Sequence, residues 1–390
     1  MKKVILKKNE ERRVNLGHAW IFSNEIKEII GDVEDRDIVE AYDFRNNFVA
    51  SGFYNKSSLI SVRILDRSKD LNIDKLIRER ILSAGSLRKI FYPTRKSFRL
   101  VNAEGDYLPG LIIDKYNNSY VLQIHSFGME LCIDSISKTL KEEFDAENIF
   151  TNNDEYFRNL EGLSTEQNIL LGSNEITETI SDGKVKYFID FTKSQKTGFF
   201  FDQCDNREFF GKYTENKKVL DVFCNSGGFG LHSAFNNSNE IHFVDSSKNE
   251  LENVKRNFHL NDFTNKVSFT ESDAFDYLKT INEKGDKFDI VNIDPPAFAK
   301  NKKSLQTAIK GYERINSLAI NAVKENGLFS TSSCSHHLNE TDFLKMILKA
   351  SIKSNRKIQM VYFNGASKDH PSLPSMDETK YLKYALFKLD

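Results

Sequence analysis

No stretch of the chain approaches the ~20 consecutive apolar residues that a membrane-spanning helix needs. The opening Met1-Lys2-Lys3-Val4-Ile5-Leu6-Lys7-Lys8 is basic, but charge returns after three apolar residues, so it does not read as a secretory signal. Cysteine is scarce. Cys132, Cys204, Cys224 and Cys334 lie 72, 20 and 110 residues apart, and none makes a Cys-x-x-Cys pair. Neither a zinc site nor a disulfide framework is expected, and no metal, and a reducing, cytoplasmic setting fits best. Glycine and proline number only 19 and 6 of 390 residues, beside 39% apolar and 12% aromatic content, which excludes a disordered chain. There is no internal repeat. Nor is there a surplus of one charge: 55 Lys and Arg stand against 56 Asp and Glu. That balance excludes a protein that coats a polyanion over its whole surface.

The balance hides an asymmetry. Residues 1–100 carry 21 Lys and Arg against 14 Asp and Glu, residues 101–215 carry 10 against 21, and residues 216–390 carry 24 against 21. The basic first quarter suggests a local polyanion-binding face, although a Lys-rich solvated surface would look the same. A chain of this length divides into two or three domains. Residues 1–70 read as short strands, among them 37–42, 47–54 and 59–65, and predict a small all-β module. At residues 72–91 the apolar period becomes helical through Ile73, Leu76, Ile77, Ile81, Leu82, Leu87 and Ile90, and Pro93 closes the segment. Residues 98–190 predict an α+β module, with strands at 111–116 and 119–125 and a helix near 129–144. From Lys217 strand and helix alternate. Strands are expected at 218–223, 240–245, 266–270, 288–293 and 327–333, then 358–363 and 382–388. Helices are expected near 228–236, 247–260, 273–283, 304–324 and 339–353. This alternation predicts a doubly wound sheet, parallel in its first five strands.

Ligands of such sheets bind outside the carboxyl ends of the strands. Every chemically interesting residue of this half falls on that edge. The first strand runs from Asp221 into Cys224-Asn225-Ser226-Gly227-Gly228-Phe229-Gly230. The second ends at Asp245, the third is followed by Asp273, the fourth enters Asp294-Pro295-Pro296-Ala297-Phe298, and the fifth enters Ser333-Cys334-Ser335. The glycines let backbone approach a ligand. Asp245 lies 18 residues past Gly227, close to the ~20 expected of an acid that holds ribose hydroxyls. A dinucleotide would also suit that acid, but the glycines do not make GxGxxG, and a plain strand-to-helix turn would carry the same residues. Two consecutive prolines make the fourth loop rigid, so Asp294 and Phe298 are placed to bond the edge of a planar base and stack on its face. The bland alternative is a simple strand exit. Cys334 lies outside any apolar run, next to His336 and His337. It is either a small packing residue or a nucleophile, and a nucleophilic thiol needs positive charge or a helix terminus to ionise it.

These motifs together resemble class I S-adenosylmethionine-dependent RNA methyltransferases, and more narrowly the PUA-domain, large-subunit ribosomal RNA cytosine-C5 methyltransferase family. The resemblance covers nearly the whole chain. Gly17-His18-Ala19-Trp20-Ile21-Phe22-Ser23-Asn24-Glu25-Ile26 is similar to the family's PUA signature, and Glu104-Gly105-Asp106-Tyr107-Leu108-Pro109-Gly110 to the opening of its central domain. Lys196-Thr197-Gly198-Phe199-Phe200-Phe201-Asp202-Gln203, with Asn206-Arg207, resembles its cofactor segment, and Asp369-His370-Pro371 with Tyr381-Leu382-Lys383 its C-terminal segment. The chain departs from the family at Cys204, where Arg is usual, at Asn225, where Tyr is common, and at Ala19, where Pro is common.

The resemblance implies an α/β architecture. A PUA-like domain (1–70), a linking helix (71–97) and a central α+β domain (98–190) would precede a seven-stranded Rossmann-like methyltransferase domain (191–390). It implies S-adenosylmethionine as cofactor and RNA as partner, and it is compatible with a homodimer. Gln203 would meet the methionine end of the cofactor, Asp221, Gly227 and Gly228 would frame its pocket, Asp245 would hold its ribose and Asp273 its adenine. Asp294, Pro295 and Phe298 would hold the flipped base, and Cys334 would attack carbon 6 of cytosine. Arg78, Arg80, Arg88, Lys89, Arg95 and Lys96 would bind phosphates. Two other readings remain open on the residues: an RNA methyltransferase acting on a purine nitrogen, with Cys334 structural, and a non-enzymatic RNA-binding assembly factor.

Overall fold

The computed structural model describes residues 2–173, 176–192, 197–299 and 302–390. Lys196 of the expected cofactor segment lies outside these described residues. The chain divides into two compact units, the first formed by Met1–Ile180, Ile189–Phe201 and Lys368–Thr379, the second by Ser181–Phe188, Asp202–Ser367 and Lys380–Asp390.

The first unit opens with a six-stranded sheet in the spatial order Trp20–Phe22, Ile60–Asp66, Phe48–Tyr54, Ile38–Tyr42, Lys3–Leu6 and Ile26–Ile30. Alternating Val4, Leu6, Val39, Ala41 and Val62 fill its core, as expected of half-buried strands. The helix Ile73–Phe91 is capped by the Asn72 side chain, which accepts from the Lys75 N–H, and it ends at Tyr92, one residue before proline. It buries Ile77, Ile81, Ala84 and Arg88, whereas Ile90 is exposed. A second sheet of five strands spans residues 97–171. The single helix expected near 129–144 is instead two, Phe127–Glu130 and Ile133–Phe144. Between them, Cys132 leaves helical geometry at φ −93°, ψ 5°.

Arg88 requires a correction. Its guanidinium is buried and bonds both oxygens of Asp106, at 2.5 and 2.7 Å, and the Asp369 carbonyl at 2.6 Å. It is a bidentate structural pair and is removed from the phosphate-binding group. A comparable buried knot joins the two sheets, where Arg63 pairs with Glu104 at 3.3 Å and with Glu161 at 2.8 Å.

The second unit carries a seven-stranded sheet. We number its strands β1 (Lys218–Val222), β2 (Glu240–Asp245), β3 (Lys266–Glu271), β4 (Phe288–Ile293), β5 (Val323–Ser333), β6 (Ile358–Asn364) and β7 (Lys383–Leu389). Their order is β3-β2-β1-β4-β5-β7-β6. The first five are parallel, and β7 enters antiparallel between β5 and β6. The five expected helices form at Gly228–Phe235, Lys248–Leu260, Ala274–Lys284, Leu305–Asn321 and Glu340–Lys353. Another, Cys204–Gly211, packs on the first of them. Leu220, Val222, Val291, Ile293 and Phe329 on the strands meet Leu278, Ile315 and Phe343 on the helices in one core. Because β1, β4 and β5 are covered in this way, their polar residues gather where the strands end.

Candidate active site

The loop after β1 is shaped by backbone conformation. Phe223, Asn225 and Gly227 all have positive φ, at 60°, 47° and 87°. Two such non-glycine residues so close together cost of order 1–3 kcal/mol each and are held only by their surroundings. Here the Asn225 N–H donates to Asp245 at 2.9 Å, and the Cys224 N–H to the Val244 carbonyl at 3.1 Å. The glycines that follow are required by close approach. A Cβ on Gly228 would lie 2.4 Å from Nε of Arg207, and one on Gly230 would lie 2.1 Å from the Phe243 ring.

Asp221 lies beneath this loop, 1% exposed. It accepts from the Gly230 N–H at 2.8 Å and from Asn292 Nδ2 at 2.9 Å, and Ser330 donates to Asn292 in turn at 2.7 Å. Burial pushes its carboxyl up to about 7 against these hydrogen bonds. Asp221 therefore ties the glycine loop to the sheet from below. Asp245 is half-buried at the tip of β2, and its second oxygen accepts from the Ser247 N–H. Asp273 is exposed and caps the helix Ala274–Lys284, with Oδ1 accepting from Phe275 and Asp276 N–H groups. Its Oδ2 has no hydrogen bond to the described residues.

The loops after β4 and β5 are laced together. Gln203 is buried, and its Nε2 donates to Asp294 Oδ1 at 3.1 Å and to Ser332 Oγ at 3.0 Å. Asn206 fixes the amide by donating to its Oε1 at 2.7 Å. Desolvation and the nearby charge of Asp202 raise the Asp294 carboxyl to about 6. Tyr312, from the helix Leu305–Asn321, shares a 2.9 Å hydrogen bond with Ser335 and donates to the Pro296 carbonyl at 3.2 Å. The Phe298 ring stacks on Tyr312 with centroids 4.5 Å apart and has Phe275 at 6.4 Å. Of the two prolines, Pro295 is buried and Pro296 exposed. Cys334 is partly exposed, whereas Cys132, Cys204 and Cys224 are buried. Burial pushes the Cys224 thiol well up and the Cys132 thiol up to about 12, so neither would ionise near neutral pH. The exposed His336 has its ring 5.3 Å from Tyr381, whose hydroxyl donates to Asp202 at 2.7 Å.

The structure thus bonds Gln203 to Asp294, ties the loop that carries Phe298 to Ser335, the residue after Cys334, through Tyr312 and Ala299, and sets Asp221, Gly227, Gly228 and Asp245 around the neighbouring glycine loop. Asp273 approaches them through Phe275. Sequence reasoning missed Tyr312 and Ser332, which come from distant segments, and named Asp202 only as part of the cofactor segment, without a role. It also assigned no role to Lys383, whose ammonium donates to the Ser335 carbonyl.

Comparison with known proteins agrees with this architecture. A model described as a PUA-like domain matches residues 4–67, and one described as Conserved hypothetical protein 95 matches residues 198–347. The ribosomal RNA large subunit methyltransferase I of Aeromonas hydrophila subsp. hydrophila is 35% identical over 387 residues, covering 97% of each chain, and that of Tolumonas auensis is 33% identical with the same coverage. Among solved structures, a methyltransferase complexed with SAH superposes with a TM-score of 0.86 at 20% identity, and a SAM-dependent methyltransferase from Streptococcus mutans with 0.84 at 19%. Both superpositions cover the whole of each chain, and at this identity they establish the fold. At 35% identity over nearly its full length, the chain belongs to the ribosomal RNA large subunit methyltransferase I family.

Proposed function

We propose that the protein transfers a methyl group from S-adenosylmethionine to carbon 5 of a cytosine in large-subunit ribosomal RNA, with Cys334 as nucleophile. The observation that carries this reading is the partly exposed Cys334 thiol at the end of β5, on loops laced to the one that holds Asp294 and Phe298. Family membership supplies the RNA class and the cofactor.

The residues present fit that cofactor. The glycine loop presents backbone in place of side chains, the half-buried Asp245 suits vicinal ribose hydroxyls, and the unused Oδ2 of Asp273 suits an exocyclic amine. Gln203 is already committed to Asp294, Ser332 and Asn206, so its role is to aim Asp294. S-adenosylmethionine supplies an electrophilic methyl carried on a sulfonium.

Carbon 5 of cytosine is a poor nucleophile. Addition of the Cys334 thiolate to carbon 6 places the electron pair on the ring and makes carbon 5 enamine-like. Asp294 would stabilise the charge that develops at ring N3, donating a hydrogen bond there when protonated. After methylation the carbon 5 proton leaves to water or to His336, and the carbon 6–sulfur bond breaks to return the thiolate. Pro296 is exposed and Pro295 buried, so Pro296 rather than Pro295 would meet a base held beside Phe298. The base must first leave its stack, at a cost of a few kcal/mol that is smallest in single-stranded RNA.

The test uses purified protein, labelled cofactor and protein-free large-subunit RNA, with the modified nucleoside identified by mass. The expected product is 5-methylcytidine, and Cys334→Ala should abolish it. A methylated purine nitrogen, or full transfer by the Ala variant, would overturn the assignment.

A further inference from the structure

Lys383 is the first residue of β7 and pairs across the ladder with Ser333, the last residue of β5. It is only 4% exposed. Its ammonium donates to the carbonyl oxygens of Ser335 and Tyr381, each at 2.7 Å. These bonds use two of its three N–H groups. Among the described residues no carboxylate forms an ion pair with it. A buried charge without a counter-charge is costly, and buried lysines are normally paired or neutral. The ammonium is nevertheless fixed beside Cys334, opposite the residue before it and bonded to the residue after it.

We propose that the Lys383 ammonium is the counter-ion of the Cys334 thiolate, and that it makes the sulfur available for attack at neutral pH. The inference rests on Cys334 being the nucleophile and names the group that activates it. Lys383 contacts neither base nor cofactor in this scheme and acts through the sulfur, so it is a positioning residue.

The surroundings agree. Burial lowers Lys383 to about 8, which still leaves it mostly protonated at pH 7, and Cys334 is the group whose charge counteracts this most, ahead of Glu340. The other titratable groups around the pair are Tyr312 from the helix Leu305–Asn321, which bonds Ser335, Tyr381, whose carbonyl accepts from Lys383 and whose hydroxyl donates to Asp202, Asp294 beyond β4, which feels the charge of Asp202, and His336 and His337 after β5. Two of these are carboxylates that oppose a thiolate when ionised. Arg207 acts on Asp294 and lies 3.6 Å from Asp182. Among the described residues, Lys383 is the cation whose backbone pairs with the residue before the sulfur and whose ammonium bonds the residue after it.

The experiment follows alkylation of Cys334 by iodoacetamide against pH in the full-length protein, read by peptide mass spectrometry without RNA or cofactor. The wild-type apparent pKa should lie below the ~8.5 of an ordinary thiol. In Lys383→Met it should rise by roughly one to two units, so that alkylation at pH 7 slows about tenfold or more. Lys383→Arg should return most of the shift. A wild-type value at or above ~8.5 overturns the pairing with no variant needed, and so does a folded Lys383→Met protein with an unchanged profile. A low, Lys383-dependent thiol pKa combined with a product other than 5-methylcytidine would leave the ion pair standing and sink the cytosine reading instead.

Discussion

Asp221 on β1 and Asp294 just past the end of the adjacent β4 share one physical feature, a carboxyl raised by burial to about 7 and about 6. The consequences differ. Asp221 is fully enclosed, so its titration bears on stability. Its folded pKa exceeds the unfolded value of ~3.9, so the folded protein keeps a proton that the unfolded chain has already released. This contribution to stability is whole below about pH 4 and is lost as pH rises toward about 7. Thermal melts of wild type and Asp221→Asn should therefore converge or cross in favour of the variant between pH 5 and pH 8. A melting-temperature difference that does not change with pH would remove Asp221 as a titrating group. In the proposed reaction Asp294 would face the base, so its titration would bear on turnover. The Asp294→Asn variant should lose roughly 10²–10⁴ in single-turnover methyl transfer. It should also lose the alkaline limb of the kcat/KM profile, because an amide has no proton to release. RNA affinity within a few-fold of wild type would confirm that the loss lies in the chemistry.

At the scale of elements, the loop after β1 combines three positive-φ residues with two glycines whose missing Cβ atoms are filled by neighbours. Gly230→Ala places a methyl 2.1 Å from the Phe243 ring, a rigid obstacle on a buried strand. The expected cost is about 1–3 kcal/mol of stability, together with weaker S-adenosylmethionine binding by calorimetry. Gly311→Ala, whose Cβ would stand 3.3 Å from Phe298, tests the aromatic row beside the substrate loop with far less strain. Much of this level was legible in the sequence. The parallel strands and their helices were expected within a few residues, because apolar period and turn residues are local signals. What was not legible comes from long-range packing. Gln203 meets Asp294 across 91 residues. The pairing of β7 between β5 and β6 cannot be read from strand propensity. The segment around Cys132 has a helical pattern, yet it folds as two helices. Lys383 stood in the sequence only as the last residue of the family-like Tyr381-Leu382-Lys383 segment, and its place opposite Ser333 comes from the insertion of β7.

Across the whole molecule, charge and burial together decide which cations are available to RNA. The first hundred residues hold the basic surplus, but counting charges overstates it, because some are spent inside. Arg88 and Lys89 are neighbours in one helix with opposite fates. Arg88 is enclosed by Asp106 and the Asp369 carbonyl, whereas Lys89 is exposed. Removing one partner of a buried ion pair leaves an uncompensated charge, so Arg88→Ala should cost about 3–5 kcal/mol in denaturant unfolding. Lys89→Ala should change stability by less than about 0.5 kcal/mol. Its effect should appear in RNA binding. Each phosphate that is no longer neutralised lowers the slope of log K against log salt by roughly 0.7 on single strands. Lys89→Ala, and Lys96→Ala at another exposed lysine of this segment, should each flatten that slope while leaving the sequence preference of binding unchanged. An unaltered salt slope in the double variant would assign the surplus to plain solvation and move the RNA-binding face elsewhere on the molecule.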